Sequence, residues 1–236
     1  MRSDSVEALR WAVSEPLPEL GYATAVDAIE DSRGRTVRCT PHRRTVMLRL
    51  PGSTLFCKHR SRHPNDSLVE WGNLDRLASL GLDVPAPVFL AQDGARSVVG
   101  MRDVAGRPLD VEAIEAERRG ESGAFLDFAR TRVVPAIRTL HDAGLVFRDL
   151  YWNHLFRVGP ADDPRVAFVD VERVFAPRLR WRRWIVKDLA GLLSSWPLAD
   201  GSVPEAVLGE YGADVGLVRD ARAKAVRIAG RRPKYG

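Results

Sequence analysis

Residues 145–156 read Leu-Val-Phe-Arg-Asp-Leu-Tyr-Trp-Asn-His-Leu-Phe, and this stretch decides how the rest of the chain is interpreted. It places Asp149 between a predicted helix that ends at Gly144 and a predicted strand, Leu155–Val158. His154 lies five residues after Asp149. The pair therefore suits a base and a metal ligand that are held by one rigid turn.

A second acidic residue, Asp170, ends the apolar segment Phe168-Val-Asp-Val, 21 residues after Asp149. An unpaired carboxylate among apolar residues is costly, because it loses its hydration without compensation. Asp170 is therefore expected to be paired with a cation or to bind a metal.

Two charged residues stand upstream on predicted elements of different type. Lys58 lies in the predicted strand Thr54–His59, and Glu70 lies on the apolar face of the predicted helix Asn65–Leu80, where a carboxylate needs a cation. Only 4 of the 36 basic residues are lysines, so a strand lysine favours a compact charge beside phosphate. A strand lysine, a helix glutamate and two later aspartates are the parts of a phosphoryl-transfer site.

The order of the predicted elements indicates an α+β protein, because strands come first and helices later. The predicted strands are Arg35–Thr40, Thr45–Leu50, Thr54–His59, Val88–Ala91, Ser97–Met101, Leu155–Val158 and Val166–Val171. The predicted helices are Val6–Trp11, Asn65–Leu80, Gly123–Ala143 and Trp181–Ser194, with loops at Asp31–Gly34 and around Gly106 and Pro108. We expect an N-terminal lobe over residues 1–102 and a C-terminal lobe over residues 103–236.

From about Arg43 to Leu193 the chain resembles the lipopolysaccharide core kinases, the Kdo/WaaP family, a bacterial branch of the protein-kinase-like fold. The matching segments are Arg43–Val46 with Phe56–Lys58, Glu70 with Leu80–Pro85, Leu140–Gly144 with Arg148–Tyr151, and Lys187–Leu189. The resemblance implies a two-lobed protein-kinase-like fold, with a small β-rich N-lobe and a compact, mostly helical C-lobe. It also implies an ATP-dependent kinase that phosphorylates a heptose or Kdo hydroxyl of the lipopolysaccharide inner core.

The resemblance implies roles for individual residues. Lys58 would contact the ATP phosphates and Glu70 would hold Lys58. Asp149 would accept the proton of the acceptor hydroxyl as the catalytic residue.

The implied metal is Mg²⁺, bound by Asp170 together with His154 and Asn153. His154 stands where most protein kinases carry a metal-binding asparagine, and imidazole is a softer ligand than Mg²⁺ prefers. Asp188 lies on an apolar helix face, so we expect it to be buried and to brace the catalytic loop.

Two departures keep other functions open. Phe147 replaces the His of the His-Arg-Asp motif, and the turn Thr40–Arg44 contains no glycine-rich loop. The alternatives are a protein kinase, a small-molecule kinase similar to the aminoglycoside phosphotransferases, and an ATP-binding pseudokinase. A nucleic-acid-binding module using the basic tail is not expected, because no known recognition motif accompanies the charge.

Basic residues are concentrated after Asp170. Arg178, Arg180, Arg182, Arg183 and Lys187 occur there without an acid, and Trp181 and Trp184 are interleaved with them. Such charge favours an anionic partner, and we expect Arg180, Arg182 and Arg183 to contact lipopolysaccharide at an anionic membrane surface. In the alternative interpretation the tryptophans pack in the core and the arginines form a solvated face.

Length and composition set the class of protein. The 236 residues are 45% hydrophobic and 28% charged, with a net charge of +5, as in ordinary globular proteins. The longest uncharged run, Leu189–Ala199, is far shorter than the ~20 residues of a membrane span. With no signal peptide in evidence and two cysteines, we expect a cytoplasmic protein, peripheral on the cytoplasmic face of the inner membrane.

Overall fold

The computed structural model describes residues 10–14 and 18–230. These residues form two compact units. The first comprises the chain up to Arg76 and Pro85–Val104, and the second comprises Leu77–Val84 and the chain from Ala105 onward.

The first unit contains a six-stranded antiparallel sheet. Its strands are β1 (Arg10–Val13), β2 (Arg35–Thr40), β3 (Arg43–Leu50), β4 (Ser53–Arg60), β5 (Pro87–Asp93) and β6 (Arg96–Arg102), in the spatial order β1-β5-β6-β4-β3-β2. A two-residue turn at Pro51-Gly52 joins β3 to β4, and Gly52 has a φ of 74°, which glycine adopts without steric cost.

The helix α1 (Ala25–Glu30) packs against this sheet. Thr24 and Asp27 form a capping box at its start. The apolar cluster beneath it includes Leu55, Cys57 and Phe89, which are at most 2% exposed. The helix α2 (Asn65–Ser79) follows β4.

The second unit contains a three-stranded antiparallel sheet and most of the helices. The strands, in spatial order, are β7 (Arg107–Pro108), β8 (Leu155–Val158) and β9 (Arg165–Phe168). The helices are α3 (Leu109–Arg118), α4 (Ser122–Phe128), α5 (Val134–Asp142), α6 (Trp181–Ser194), α7 (Ser202–Glu210) and α8 (Val215–Ala229). One π-helical turn, Ala129–Val133, joins α4 to α5.

The order of elements confirms the predicted α+β class, and the predicted strands occur within a few residues of their expected bounds. The predicted helix Val6–Trp11 lies largely outside the described residues, and its last two residues belong to β1. The loop predicted around Gly106 and Pro108 is wrong at Pro108, because Arg107–Pro108 form the strand β7 and Pro108 is also the N-cap residue of α3. The helices α1, α3, α7 and α8 and the strands β1 and β7 were not predicted from the sequence.

No helix in the described part of the chain is long and apolar enough to cross a membrane.

Candidate active site

In the first unit, Lys58 and Glu70 form a buried ion pair. Lys58 projects from β4 and donates a hydrogen bond from Nζ to Oε1 of Glu70 on α2. Glu70 is fully buried and Lys58 is nearly so. The expected contact between these two residues is therefore present.

Arg60 completes this ion cluster and was not singled out from the sequence. It lies two residues after Lys58, and a strand places residues two apart on one face. Its Nη2 donates to Oε2 of Glu70 at 2.8 Å, and its Nη1 donates to Oγ of Ser67 at 2.8 Å. The buried carboxylate of Glu70 thus faces a cation at each oxygen, which compensates its lost hydration.

In the second unit, the segment before Asp149 is held by Asp188 of α6. The carboxylate of Asp188 accepts the backbone N–H of Phe147 at 2.7 Å and that of Arg148 at 2.6 Å. It also accepts from Nε2 of His141 at 3.2 Å. Asp188 is fully buried, as its place on the helix face predicts, and Arg148 adopts a left-handed φ of 73°.

Asp149 directly follows this strained residue and faces two cations. Nη1 of Arg173 donates to Oδ2 of Asp149 at 2.6 Å, and Nζ of Lys187 lies 3.5 Å from Oδ1. The Lys187 ammonium also donates to the backbone carbonyl of Arg148. Burial lowers the pKa of Lys187 below its ordinary value, and the nearby Asp149 carboxylate opposes this effect.

The three residues implied for the metal lie on two paired segments. His154 and Asn153 belong to a 3-10 turn before β8, and Asp170 follows β9 with a left-handed φ of 59°. The N–H of Val169 donates to the carbonyl of His154 at 3.0 Å, which joins the two segments. Asn153 is exposed, while His154 and Asp170 are half-buried.

The chemistry of these side chains fits Mg²⁺. Nδ1 of His154 donates to the backbone carbonyl of Asp149 at 2.9 Å, so Nε2 is the ring nitrogen that is left for a metal. Asp170 offers carboxylate oxygens and Asn153 an amide oxygen, which are the hard ligands that Mg²⁺ prefers. Within residues 10–14 and 18–230, no group of three or more His, Cys, Asp and Glu side chains could hold a metal by itself. Mg²⁺ usually keeps waters and substrate phosphates in its shell, so a smaller protein contribution is sufficient.

The basic residues after Asp170 divide into different environments. Residues 178–183 are all exposed, and Arg182 pairs with Asp220 at 3.1 Å and Asp214 at 3.5 Å. The guanidinium of Arg183 lies 5.6 Å from the ring of Trp184, and Trp184 packs edge-on against Phe175. Lys187 differs from all of these, because it turns towards Asp149.

The sequence-predicted residues therefore fall into two groups. Lys58 and Glu70 are in contact in the first unit. In the second unit, Asp188 and His154 both bond to the backbone of the loop that carries Asp149. Asn153 is next to His154 on its turn, and Asp170 follows the segment whose Val169 N–H bonds to the His154 carbonyl. Arg60, Arg173 and the inward position of Lys187 were not predicted from the sequence. Of these, only Arg60 had a usable signal, the strand periodicity that places it on the same face as Lys58.

Comparisons with known proteins identify the family and the fold. Residues 42–206 match the model of the lipopolysaccharide kinase (Kdo/WaaP) family. A solved chain described as WaaP in complex with acyl carrier protein has a TM-score of 0.76 and 22% sequence identity, and the match covers 93% of this chain and 99% of that chain. The likeness shows a protein-kinase-like fold. A search of curated proteins finds no match. Because the family model spans well over half of the 236 residues, the chain belongs to the lipopolysaccharide kinase (Kdo/WaaP) family, whose members are phosphotransferases that act on sugar hydroxyls.

Proposed function

We propose that this chain transfers the γ-phosphoryl group of ATP to a heptose or Kdo hydroxyl of the lipopolysaccharide inner core. Membership of the family supports the acceptor class. The observation that carries the proposal is the setting of Asp149: the peptides on its N-terminal side are held by the buried Asp188, and its carboxylate is held by two cations. A carboxylate that is fixed in place can orient an attacking hydroxyl and accept its proton.

The acceptor hydroxyl would meet Asp149 at Oδ2. Arg173 occupies that oxygen in the structure and is the more exposed partner, with 40% of its side chain accessible against 17% for Asp149. Arg173 would move aside when the acceptor binds. Its guanidinium would then be free to pair with an anionic group.

The ATP phosphates would be bound by Lys58 of the N-terminal lobe, residues 1–102. Its compact ammonium suits phosphate, and Glu70 holds the lysine side chain in one orientation. Arg60 keeps the second oxygen of Glu70 paired, so the glutamate stays in place when Lys58 shifts towards a phosphate.

Asp170, Asn153 and Nε2 of His154 would hold Mg²⁺ in the C-terminal lobe, residues 103–236. Bound Mg²⁺ neutralises charge on the phosphates. The bond from His154 to the Asp149 carbonyl ties the metal-binding turn to the catalytic residue, so the two positions depend on each other.

Two other functions use the same residues or follow from a feature of the sequence. A protein kinase or an aminoglycoside-phosphotransferase-like enzyme would use the same Lys58, Glu70, Asp149 and Asp170. A pseudokinase is favoured by the turn Thr40–Arg44, which offers no glycine-rich loop for the phosphates.

The acceptor assignment is tested by transfer of labelled γ-phosphate from Mg·ATP. The purified chain is incubated with lipopolysaccharide of dephosphorylated core, with mixed peptides and with an aminoglycoside, and Asp149→Asn serves as the inactive control. We expect label in the lipopolysaccharide core sugar only. Label in peptide or aminoglycoside alone would contradict the proposal, and nucleotide binding without any transfer or hydrolysis would assign a pseudokinase.

The chain would act as a peripheral protein on the cytoplasmic face of the inner membrane, through the arginine segment, defined as residues 178–183. Leu179 is 80% exposed, Trp181 is exposed beside it, and Arg178 makes no ion pair in the described part of the chain. Exposed apolar and cationic side chains together suit an anionic membrane interface. Arg180 and Arg183 are proposed to contact phosphorylated core sugar there, whereas Arg182 would first have to leave its pairs on α8.

A further inference from the structure

Lys187 differs from the other cations of α6 because its ammonium group lies against the loop that carries Asp149. Its side chain is 23% exposed, whereas that of Arg182, one and a half turns earlier, is 51% exposed. The Lys187 ammonium has two partners on the loop, the backbone carbonyl of Arg148 and the carboxylate of Asp149. The residue therefore belongs to the interior of the site and not to the basic surface.

Lys187 and its neighbour Asp188 each form a hydrogen bond to the backbone of the same residue, Arg148. Asp188 accepts the N–H of Arg148, and Lys187 donates to the C=O of Arg148. Arg148 has a φ of 73°, a left-handed conformation that is unfavourable for a residue with a Cβ and persists only where its surroundings fix it. Two consecutive residues of one helix supply that fixation.

We propose that Lys187 is a positioning residue for phosphoryl transfer: by joining the Arg148 carbonyl to Oδ1 of Asp149, it fixes the rotation of the carboxylate and leaves Oδ2 for the acceptor hydroxyl. This inference rests on the proposed function of Asp149 as the base. Arg173 does not share the role, because its bond to Asp149 is not accompanied by a bond to the loop backbone and its side chain is more exposed.

The chemistry of lysine explains why this position is not an arginine in an arginine-rich chain. An ammonium group has three donors in a tetrahedral arrangement, so it can serve a carbonyl and a carboxylate that lie in different directions. The planar guanidinium fork is suited to two oxygens of one group. The residues that follow Asp149 on the loop, Leu-Tyr-Trp-Asn at 150–153, include no cation that could pair with its carboxylate.

The first test compares Lys187→Met with Lys224→Met. Both changes remove one ammonium group, and Lys224 on α8 makes no hydrogen bond or ion pair in the described part of the chain. We expect Lys187→Met to lower kcat by ~10-fold or more with the KM for ATP within about twofold, because ground-state nucleotide binding does not involve Asp149. Amide hydrogen exchange of a peptide covering residues 145–151 should also rise in Lys187→Met. Lys224→Met should match the wild type in both measurements.

A chemical rescue separates loss of the ammonium from general damage to the fold. In a Cys39→Ser background, Lys187→Cys is treated with 2-bromoethylamine; the thiolate displaces bromide and forms a thioether with the length and charge of lysine. Burial raises the pKa of Cys57 to about 12, so that thiol stays unmodified, and mass spectrometry verifies a single adduct. We expect kcat to recover by ~10-fold or more.

Two results would overturn the inference: wild-type kcat with wild-type exchange in Lys187→Met, or full modification of Lys187→Cys without recovery. The exchange measurement needs no substrate. Failure of the wild type to phosphorylate lipopolysaccharide would therefore overturn the proposed acceptor, while the exchange measurement would still test whether Lys187 holds the loop.

Discussion

Asp149 is a partly buried carboxylate whose two oxygens meet cations of different character. Lys187 is anchored to the backbone of the same loop, and Arg173 is half-exposed and bound through its side chain only. The carboxylate is thus oriented before any substrate binds. Preorganisation of this kind lowers the entropic cost of reaching the reactive geometry.

Asp149→Asn should lower phosphoryl transfer by ~10²-fold or more, because an amide cannot accept the proton of the acceptor hydroxyl. ATP binding should stay within a few-fold of the wild type. Single-turnover transfer and nucleotide titration measure the two quantities separately. Transfer within a few-fold of the wild type would remove Asp149 from the mechanism.

Glu70→Gln should destabilise the first unit as well as impair catalysis. Glutamine has nearly the same shape, but it leaves Lys58 and Arg60 buried without a carboxylate, and breaking a buried pair costs about 3 kcal/mol or more. Urea unfolding measures this loss. The control is Glu30→Gln, which breaks an exposed pair with Arg96 and should change the unfolding free energy by about 0.5 kcal/mol or less. Equal effects of the two changes would show that burial of the Glu70 cluster contributes nothing.

The helix α6 is the element that shapes the loop before and after Asp149. Asp188 holds the peptides at Phe147 and Arg148, and the carbonyl of Leu192 accepts the indole N–H of the buried Trp152 at 2.9 Å. Between them, Gly191 lets the loop backbone approach the helix closely. A Cβ built on Gly191 would lie 2.3 Å from the carbonyl oxygen of Leu150.

Gly191→Ala should therefore displace the loop and lower both stability and activity. The methyl group meets backbone atoms, which cannot move aside as a flexible side chain can, and overpacking of this type costs about 1–3 kcal/mol. Thermal unfolding and kcat are the measurements. Gly209→Ala on α7 is the matched control: a Cβ there meets nothing within 4 Å, so the change should be neutral or stabilise by up to about 1 kcal/mol. A Gly191→Ala enzyme as stable and active as the wild type would contradict the close packing.

Over the molecule as a whole, the net charge of +5 is unevenly compensated. Many exposed arginines have acidic partners, among them Arg130 with Glu210, Arg165 with Asp83 and Arg222 with Glu205. In the arginine segment, only Arg182 has acidic partners within the described residues. The segment thus places three arginines that have no acidic partner among the described residues next to the exposed Leu179.

Replacing Arg178, Arg180 and Arg183 with Ser should weaken binding to vesicles containing phosphatidylglycerol by ~10-fold or more and raise the KM for lipopolysaccharide while sparing that for ATP. Each cation near an anionic surface contributes about 1 kcal/mol, and this attraction decays over a Debye length of ~8 Å at physiological salt.

The matched control replaces the three paired arginines 130, 165 and 222 with Ser, which changes the net charge equally. It should reduce vesicle binding by no more than ~3-fold, and wild-type binding should fall steeply with added salt. Equal losses in the two triple variants would show that net charge and not the arginine segment governs binding.

The sequence by itself determined the family and the α+β order of elements, and it named the residues of a candidate site. Lys58, Glu70, Asp149, Asp170 and Asp188 could be named because spacing along a strand, a helix or a turn fixes where such residues stand. Local signals also place the hairpin at Pro51-Gly52 and the end of a helix at Gly144. They were too weak for α1, α3, α7 and α8, since helices of this kind depend on tertiary packing more than on propensity.

Only the tertiary structure decided which cations pair with the carboxylates of Glu70, which is buried, and Asp149, which is partly buried. Arg173 and Lys187 lie 24 and 38 residues after Asp149, and nothing in their local sequence separates them from surface residues. Lys187 occurs in a basic run that indicated an anionic partner, yet it is turned inward because α6 lies against the loop through Gly191. The spacing of apolar residues along the chain specifies which face of a helix or strand is buried. Which element packs against that face depends on contacts between segments distant in sequence. The two cations at Asp149 could therefore be identified only from the fold.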